Sequence, residues 1–350
     1  MTDDQHFADL VFEGGGVKGI GLAGAYAALE QRGFAPKRVA GTSAGAITAA
    51  LIAAGYSSAE IDEIVFELPF SDFKDKGWED RVPLLGKGLG LLLECGIYEG
   101  SVFHAWMQEK LAKRGMTTFG QLSEEDPDTG EKRWRLNVIA SDVTCRRMLV
   151  LPQDAGHLGI EPDELSIADA VRMSMSIPIF FEPIVHHNDQ TDENHLIVDG
   201  GMLSNFPVWL FDAQGREPRW PTFGLRLVEP EPRKPIGHRL HSADEHARAG
   251  SLFNYVKSLA QTVMEAHDRL YLEKATYART IPIPTLGVST TEFSITPERQ
   301  RELYDAGHQA ASDFLDDWDF SAYIAEFRSG KEHSRRQDLV AEQREGAVRT

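Results

Sequence analysis

The stretch Val39-Ala40-Gly41-Thr42-Ser43-Ala44-Gly45 determines how the rest of the chain is interpreted, because it joins a β-type run to an alanine-rich segment. It contains a Gly-x-Ser-x-Gly pattern. A serine between small residues at a strand-to-helix turn can present its hydroxyl on a strained backbone, since the flanking glycines leave room for neighbouring backbone. Ser43 is therefore our candidate nucleophile, with Gly41 and Gly45 as the glycines of the elbow. The pentapeptide alone is equally compatible with a small-residue turn that starts a tightly packed helix.

A glycine loop comes one strand and one helix before this elbow. Leu10 to Glu13 is predicted to be a short strand, Gly14 to Gly19 a loop, and Ile20 to Leu29 a helix. The loop matches the dinucleotide-binding pattern Gly-x-Gly-x-x-Gly, which expects an acidic residue about 20 residues further on. Lys37 and Arg38 occupy the second strand instead, and no acid follows them. A nucleotide-binding oxidoreductase is therefore the weaker interpretation.

The same loop also suits an anion that forms only in a transition state. A glycine loop at a helix N-terminus presents free backbone N–H groups, which stabilise an oxyanion. Two consecutive βα units bring the loop and Ser43 to the same edge of a parallel sheet. Only one βα unit precedes Ser43, whereas an ordinary α/β-hydrolase has several strands before its nucleophile. We therefore do not expect the ordinary α/β-hydrolase fold.

Two carboxylates follow predicted strands and are candidates for the base. Leu196 to Val198 is a buried-type strand that runs into Asp199-Gly200-Gly201. An acid pressed against a buried site becomes more basic because it is desolvated, although an Asp-Gly pair is also common in turns. Asp142 is the rival base, since it ends the predicted strand that starts at Arg135. It lacks the following glycine pair.

The composition limits the classes of partner. The chain has 350 residues and a formal net charge of -18, which argues against binding to nucleic acid or to strongly anionic membranes. Its two cysteines, Cys95 and Cys145, are too few for a disulfide framework, so we expect a cytoplasmic location. The first residues carry no secretory signal pattern. Val39 to Ala59 has no charge, but its Ala, Gly, Ser and Thr content favours a buried helix over a membrane span.

Several other segments have a structural interpretation that we prefer. Ser174 and Ser176 lack the glycine flanks of an elbow, so we assign them to the end of a helix. The stretch from His186 to His195 is rich in metal-ligand residue types but has no regular ligand spacing, which favours a solvated hairpin tip and no metal. His186, His187 and His195 would lie away from the edge that carries Ser43. The apolar stretch from Leu84 to Leu93 is more typical of core than of a mobile segment beside a lipid site.

Several segments outside the motifs also have a predicted structure. Ser123 to Lys132 is predicted to be an acidic loop, and Asn205-Phe206-Pro207 is predicted to start a helix. Thr222 to Val228 and Ala278 to Ile283 are predicted strands. Apolar residues between Leu252 and Leu270 recur at helical spacing. Thr296-Pro297 has the cap and first-turn proline of a helix that ends near Asp316, and residues 329–350 have the composition of a disordered tail.

Taken together and in this order, the loop Gly14-Gly15-Gly16-Val17-Lys18-Gly19, the elbow Gly41 to Gly45 and the acid motif Asp199-Gly200-Gly201 closely resemble the patatin-like phospholipase family. The resemblance covers about residues 8–210 and is far more specific than any one motif. It implies an α/β fold, a three-layer α/β/α sandwich with a mainly parallel central sheet. We expect one domain over residues 8–320, with its motifs in 8–210 and extra C-terminal helices in an extension over 248–320.

The resemblance also implies roles for the motif residues. Ser43 is implied to be the nucleophile and Asp199 its partner in a Ser-Asp dyad, without metal or cofactor. The oxyanion loop is implied to comprise Gly14, Gly15, Gly16, Lys18 and Gly19. The expected function is a serine lipid acyl hydrolase of phospholipase A or esterase type, whose substrate is a lipid ester met in transient contact with a membrane or lipid aggregate. A nucleotide-binding oxidoreductase and a non-hydrolytic interaction protein on the same fold remain the alternatives.

Overall fold

The computed structural model describes residues 6–67, 100–126, 129–178, 180–213, 216–229, 274–290, 292 and 294–328. The strands in this part of the chain are β1 His6–Phe12, β2 Phe34–Thr42, β3 Ser123–Glu125, β4 Lys132–Trp134, β5 Leu136–Asp142, β6 Arg147–Leu151, β7 Ile184–Asn188, β8 Glu193–Asp199, β9 Thr222–Val228 and β10 Thr280–Pro284. Its α-helices are α1 Ile20–Gln31, α2 Ala44–Ala53, α3 Ser58–Phe66, α4 Ser101–Lys113, α5 Ile167–Ser174, α6 Lys274–Tyr277, α7 Pro297–Asp317 and α8 Phe320–Phe327.

A mainly parallel sheet forms the centre of the fold. Its strand order is β10-β9-β1-β2-β5-β8-β7, and β6 also pairs with β5. The strands from β10 to β5 are parallel to their neighbours, whereas β8 and β6 are antiparallel to β5, and β7 is antiparallel to β8. Helices flank this sheet, and α7 and α8 follow its last strand. The α/β fold with a mainly parallel sheet and C-terminal helices, predicted from the sequence, is confirmed.

The first two βα units form because apolar residues point to both faces of adjacent strands. Leu10 and Phe12 belong to the large core beneath α1 and α2, whereas Val11 lies in a second cluster with Phe206. In the part of the chain that is described, this second face is covered by a 3-10 turn at Val208–Phe211. The strand, loop and helix predicted around residues 10 to 29 are therefore present.

Small residues let α1 and α7 pack at short range. A Cβ on Gly24 would collide with the backbone of Tyr304, and a Cβ on Gly307 would collide with that of Gly21. The last helix predicted from the sequence is confirmed at this contact, because Thr296 caps α7 through the N–H of Arg299.

The structure differs from the sequence expectations in two places. The acidic loop predicted over Ser123 to Lys132 contains an antiparallel hairpin, β3 and β4. The helix expected to start at Asn205-Phe206-Pro207 is only the 3-10 turn that follows. The extension over 248–320, described as C-terminal helices, also adds a strand to the same sheet: β10, which confirms the strand predicted at Ala278 to Ile283.

Three expectations fall on residues outside the described part of the chain. They concern the apolar stretch from Leu84 to Leu93, the amphipathic helix between Leu252 and Leu270, and the tail over residues 329–350. The uncharged stretch Val39 to Ala59 is resolved into the end of β2, the buried helix α2 and the start of α3. Among the helices that are described, none has the length and apolar character needed to cross a membrane.

Candidate active site

Ser43 occupies the sharp turn between β2 and α2 that the sequence predicts. Its backbone has φ 53° and ψ -126°, a conformation that costs a non-glycine residue about 1–3 kcal/mol. A Cβ on Gly41 would collide with the backbone of Gly45, and a Cβ on Gly45 would lie 2.6 Å from the carbonyl oxygen of Glu13. The two flanking glycines therefore allow the turn to close tightly against β1.

Asp199 reaches this turn because β2 and β8 lie on opposite sides of β5 and end at the same level along it. Thr42, the last residue of β2, pairs with Ile139, and Asp199, the last residue of β8, pairs with Ala140. Because β2 runs parallel and β8 antiparallel to β5, their carboxyl ends meet opposite consecutive residues of that strand. A Cβ on Gly200 would collide with the backbone of Ile139, so glycine is required for this close approach.

Burial makes the Asp199 carboxyl group unusually basic. The side chain is 0% exposed, and Ser43 is 1% exposed. Desolvation raises the pKa of Asp199 to about 7, and the Ser43 hydroxyl and the Gly201 N–H lower this pKa only in part. Its Oδ1 accepts a hydrogen bond from the Gly201 N–H at 2.7 Å, whereas Oδ2 accepts none among the described residues, since the nearby Ser43 hydroxyl donates to Met175 in this structure. One carboxylate oxygen is thus free to accept a proton.

The segment after α5, whose two serines the sequence analysis placed at a helix end, connects Ser43 to Asp199. We call Ser174-Met175-Ser176 the bridging segment. The Ser174 hydroxyl accepts a hydrogen bond from the Ser43 N–H at 2.8 Å, and the Ser176 carbonyl accepts one from the Asp199 N–H at 2.9 Å. The Ser43 hydroxyl is 3.7 Å from the Met175 sulfur, to which it donates in this structure.

The predicted helix-end role of the two serines is thus only part of what they do. The Ser176 hydroxyl does donate to the carbonyl of Arg172 in the last turn of α5, at 2.9 Å. The only sequence signal for the bridge is the recurrence of serine on either side of Met175, directly after a helix.

Asn205 holds the first glycine of the loop from both sides. Its side-chain Nδ2 donates to the Gly14 carbonyl at 3.0 Å, and its own carbonyl accepts from the Gly14 N–H at 3.1 Å. The N–H of Gly14 is therefore already used. Among the described residues, the N–H groups of Gly15 and Gly16 have no hydrogen-bond partner.

The other two loop residues singled out in the sequence have structural contacts. The Lys18 N–H donates to the Gly15 carbonyl at 3.2 Å, and its ammonium group pairs with Glu229 at 2.9 Å. Gly19 precedes α1, and a Cβ there would lie 3.0 Å from the Cβ of Ala44. The loop therefore packs directly against the start of α2.

The structure places no histidine in this site among the described residues. His195 contacts Asp142, whose carboxylate is engaged there rather than at Ser43. His186 contacts the Leu158 carbonyl and His308 the Gln31 side chain, while His187 contacts Asn194 on the hairpin. β2 also ends without a carboxylate, because Thr42 is its last residue and its hydroxyl donates to the carbonyl of Ser204. The acid that a dinucleotide ribose would need is absent there.

Comparison with known proteins identifies the family. Residues 10–212 match the family described as Patatin-like phospholipase. The chain is 36% identical over 314 residues to "Uncharacterized protein YqhO" of Bacillus subtilis (strain 168), an alignment that covers 90% of this chain and 100% of that protein. Its structure resembles that of VipD from Legionella pneumophila with a TM-score of 0.50 and 20% identity, over 89% of this chain and 67% of the other, a likeness of fold alone. The chain belongs to the patatin-like phospholipase family.

Proposed function

We propose that this protein is a serine lipid acyl hydrolase in which Ser43 is the nucleophile and Asp199 the general base. Membership of a phospholipase family supports lipid hydrolysis in general. One observation supports the roles of Ser43 and Asp199 most strongly. The buried serine has a strained backbone, and it lies beside a buried carboxyl group whose pKa is raised to about 7. Such a group is a far better proton acceptor than an ordinary aspartate, and it is largely ionised at slightly alkaline pH.

The proposed reaction proceeds through an acyl-enzyme. Asp199 accepts the Ser43 hydroxyl proton as Oγ attacks the ester carbonyl, and the same proton then passes to the departing alcohol. A water molecule next gives a proton to Asp199 and attacks the acyl-serine, which releases the fatty acid and restores the Ser43 hydroxyl. No metal is needed for either step.

The proposed oxyanion donors are the N–H groups of Gly15 and Gly16. They lack partners among the described residues, whereas those of Gly14 and Lys18 are already bonded. The double contact with Asn205 fixes the preceding residue, so these donors are held before the charge develops. Preorganised donors of this kind contribute about 3–4 kcal/mol each to stabilising a transition state.

Substrate entry requires Met175 to move. Its sulfur lies against the Ser43 hydroxyl, which is itself almost completely buried. Methionine has a flexible, unbranched side chain, so it can withdraw at low cost. Phe181 is buried against Arg172, so it does not form part of an exposed lipid-binding face.

The test compares hydrolysis by matched variants on zwitterionic phospholipid vesicles, which the net charge of -18 does not repel. We expect Ser43→Ala and Asp199→Asn each to lower kcat by about three orders of magnitude or more, because each removes a reacting group. His186→Ala, His187→Ala and His308→Ala are the controls and should keep most of the activity. A folded Asp199→Asn protein with near wild-type turnover would refute the assignment of the base.

A further inference from the structure

A cluster of four potential metal ligands lies away from the proposed catalytic site. Asp142 ends β5, Cys145 lies in the turn to β6, His157 in a 3-10 turn at Ala155–Leu158, and His195 near the start of β8. One ligand atom from each of these residues lies within 4.8 Å of the others. His195 precedes Asp199 by four residues on a strand, a separation of about 13 Å. The cluster is thus a separate centre.

The donor atoms converge on one carboxylate oxygen. Asp142 Oδ2 is 2.7 Å from His195 Nδ1 and 3.2 Å from His157 Nε2, and Cys145 Sγ is 3.9 Å from His195 Nδ1. In a tetrahedral zinc site with ordinary bond lengths, neighbouring ligand atoms lie about 3.3–3.8 Å apart. The spacing here therefore needs only small side-chain adjustments to enclose an ion.

Burial and charge favour occupation by a cation. Asp142 is 0% exposed and His195 is 1% exposed, and the two histidines are the ion-pair partners of Asp142 in the described part of the chain. A carboxylate and a thiolate together neutralise a divalent ion. Cys145 is exposed, so a path for entry exists on its side.

Metal binding would replace the hydrogen bond between His195 and Asp142, since the ring proton can move from Nδ1 to Nε2. The Nδ1 of His195 faces Asp142, whereas its buried Nε2 has no hydrogen-bond partner among the described residues. A neutral ring can therefore carry its proton on Nε2 and offer the Nδ1 lone pair to a metal. Binding then releases one proton per ion, from the Cys145 thiol.

We propose that Asp142, Cys145, His157 and His195 form a binding site for a divalent transition-metal ion of the zinc class. Nitrogen and thiolate donors select such ions over Mg²⁺ and Ca²⁺. Four protein ligands leave no open position, so the role is structural: the ion ties the β5–β6 turn to β8. A metal was not expected from the sequence because the ligands come from separate segments with no common spacing.

Arg147 opposes the binding of a cation at this cluster. Its Nη1 is 3.3 Å from His157 Nδ1, the nitrogen that must carry a proton when Nε2 binds a metal. Its guanidinium also lies 3.9 Å from Asp154, so it has an alternative partner when it leaves the histidine. Arg147→Gln should therefore tighten binding several-fold, because it removes a positive charge beside the ion. Weaker binding by this variant would contradict the geometry.

The experiment is a Co²⁺ titration of the full chain, followed by absorbance. We expect one Co²⁺ per chain, with intense visible bands from tetrahedral coordination and a near-ultraviolet band from thiolate to cobalt, both removed by added Zn²⁺. Cys145→Ser should lose the thiolate band and bind at least about tenfold more weakly, and His157→Ala should likewise weaken binding. The matched control is His187→Ala, which removes an exposed histidine of the same hairpin.

Circular dichroism checks that each variant is folded. An unchanged titration in folded Cys145→Ser, or the absence of these bands in the wild-type chain at millimolar Co²⁺, would overturn the proposal. The absorbance bands do not depend on hydrolysis, so the metal site is tested separately from the proposed function.

Discussion

Ser43 and Asp199 each hold a state that is unfavourable in isolation. The serine has a positive φ, and the carboxyl group has lost its hydration. Both costs are met by contacts with the surrounding backbone, through the bridging segment and the Gly201 N–H. As a result, the proposed proton acceptor, Asp199, has a pKa near neutral pH.

The pH dependence of hydrolysis follows from the raised pKa of Asp199. Only the ionised carboxylate accepts the Ser43 proton, so kcat/KM should rise about tenfold per pH unit below pH 7 and level off above it. The measurement uses a soluble p-nitrophenyl ester between pH 5 and 9. A histidine would titrate in the same range, so the His186→Ala and His187→Ala profiles serve as controls and should keep the same midpoint. A pH-independent rate over this range would contradict the assignment.

The Asp199 carboxyl group also makes the stability of the folded protein depend on pH. The pKa of Asp199 is raised in the folded state, so the stability that its protonated form contributes is present below about pH 4 and is lost as the pH rises through 7. Asp199→Asn resembles the protonated form at every pH. Its Tm should therefore exceed the wild-type Tm by a few degrees at pH 8, and the difference should shrink toward pH 4. A lower Tm for this variant at pH 8 would be the opposite result.

Among the elements, the loop between β1 and α1 is aligned by a residue that lies far along the chain. Asn205→Ala should lower kcat by about tenfold to a hundredfold with little change in KM, because its amide positions Gly14 and, through it, the oxyanion donors. Asn194→Ala, which removes an exposed hairpin asparagine, is the matched control. A rise in KM alone would show that Asn205 affects binding instead of positioning the loop.

The elements that the sequence predicts best are those specified by local pattern. The strand, glycine loop and helix before Ser43, and the capped α7, have apolar periodicity and cap residues within a few positions. The hairpin of β3 and β4 was missed because its strands are short and charged. The contacts of the bridging segment with Ser43 and of Asn205 with Gly14 were not predicted, because they join residues more than 100 positions apart in the chain.

A buried cluster of three charged residues joins distant parts of the chain. Asp212 lies 2.5 Å from Arg279, directly before β10, and 2.8 Å from Arg328, directly after α8. Arg279→Ala should lower the free energy of unfolding by about 3 kcal/mol, because it removes one partner of a buried pair. Arg32→Ala, which breaks an exposed pair with Asp316, should change it by less than about 1 kcal/mol. Urea denaturation measures the free energy of unfolding of both variants. Equal decreases would show that burial does not make the Arg279 pair more important than the exposed pair.

Labelling with a fluorophosphonate tests directly whether Ser43 is the nucleophile. Intact mass should show one adduct per wild-type chain, and peptide mapping should place it on Ser43. Ser43→Ala should remain unlabelled, and Asp199→Asn should label much more slowly at pH 8. An adduct on another residue, or undiminished labelling of folded Ser43→Ala, would show that Ser43 is not the nucleophile.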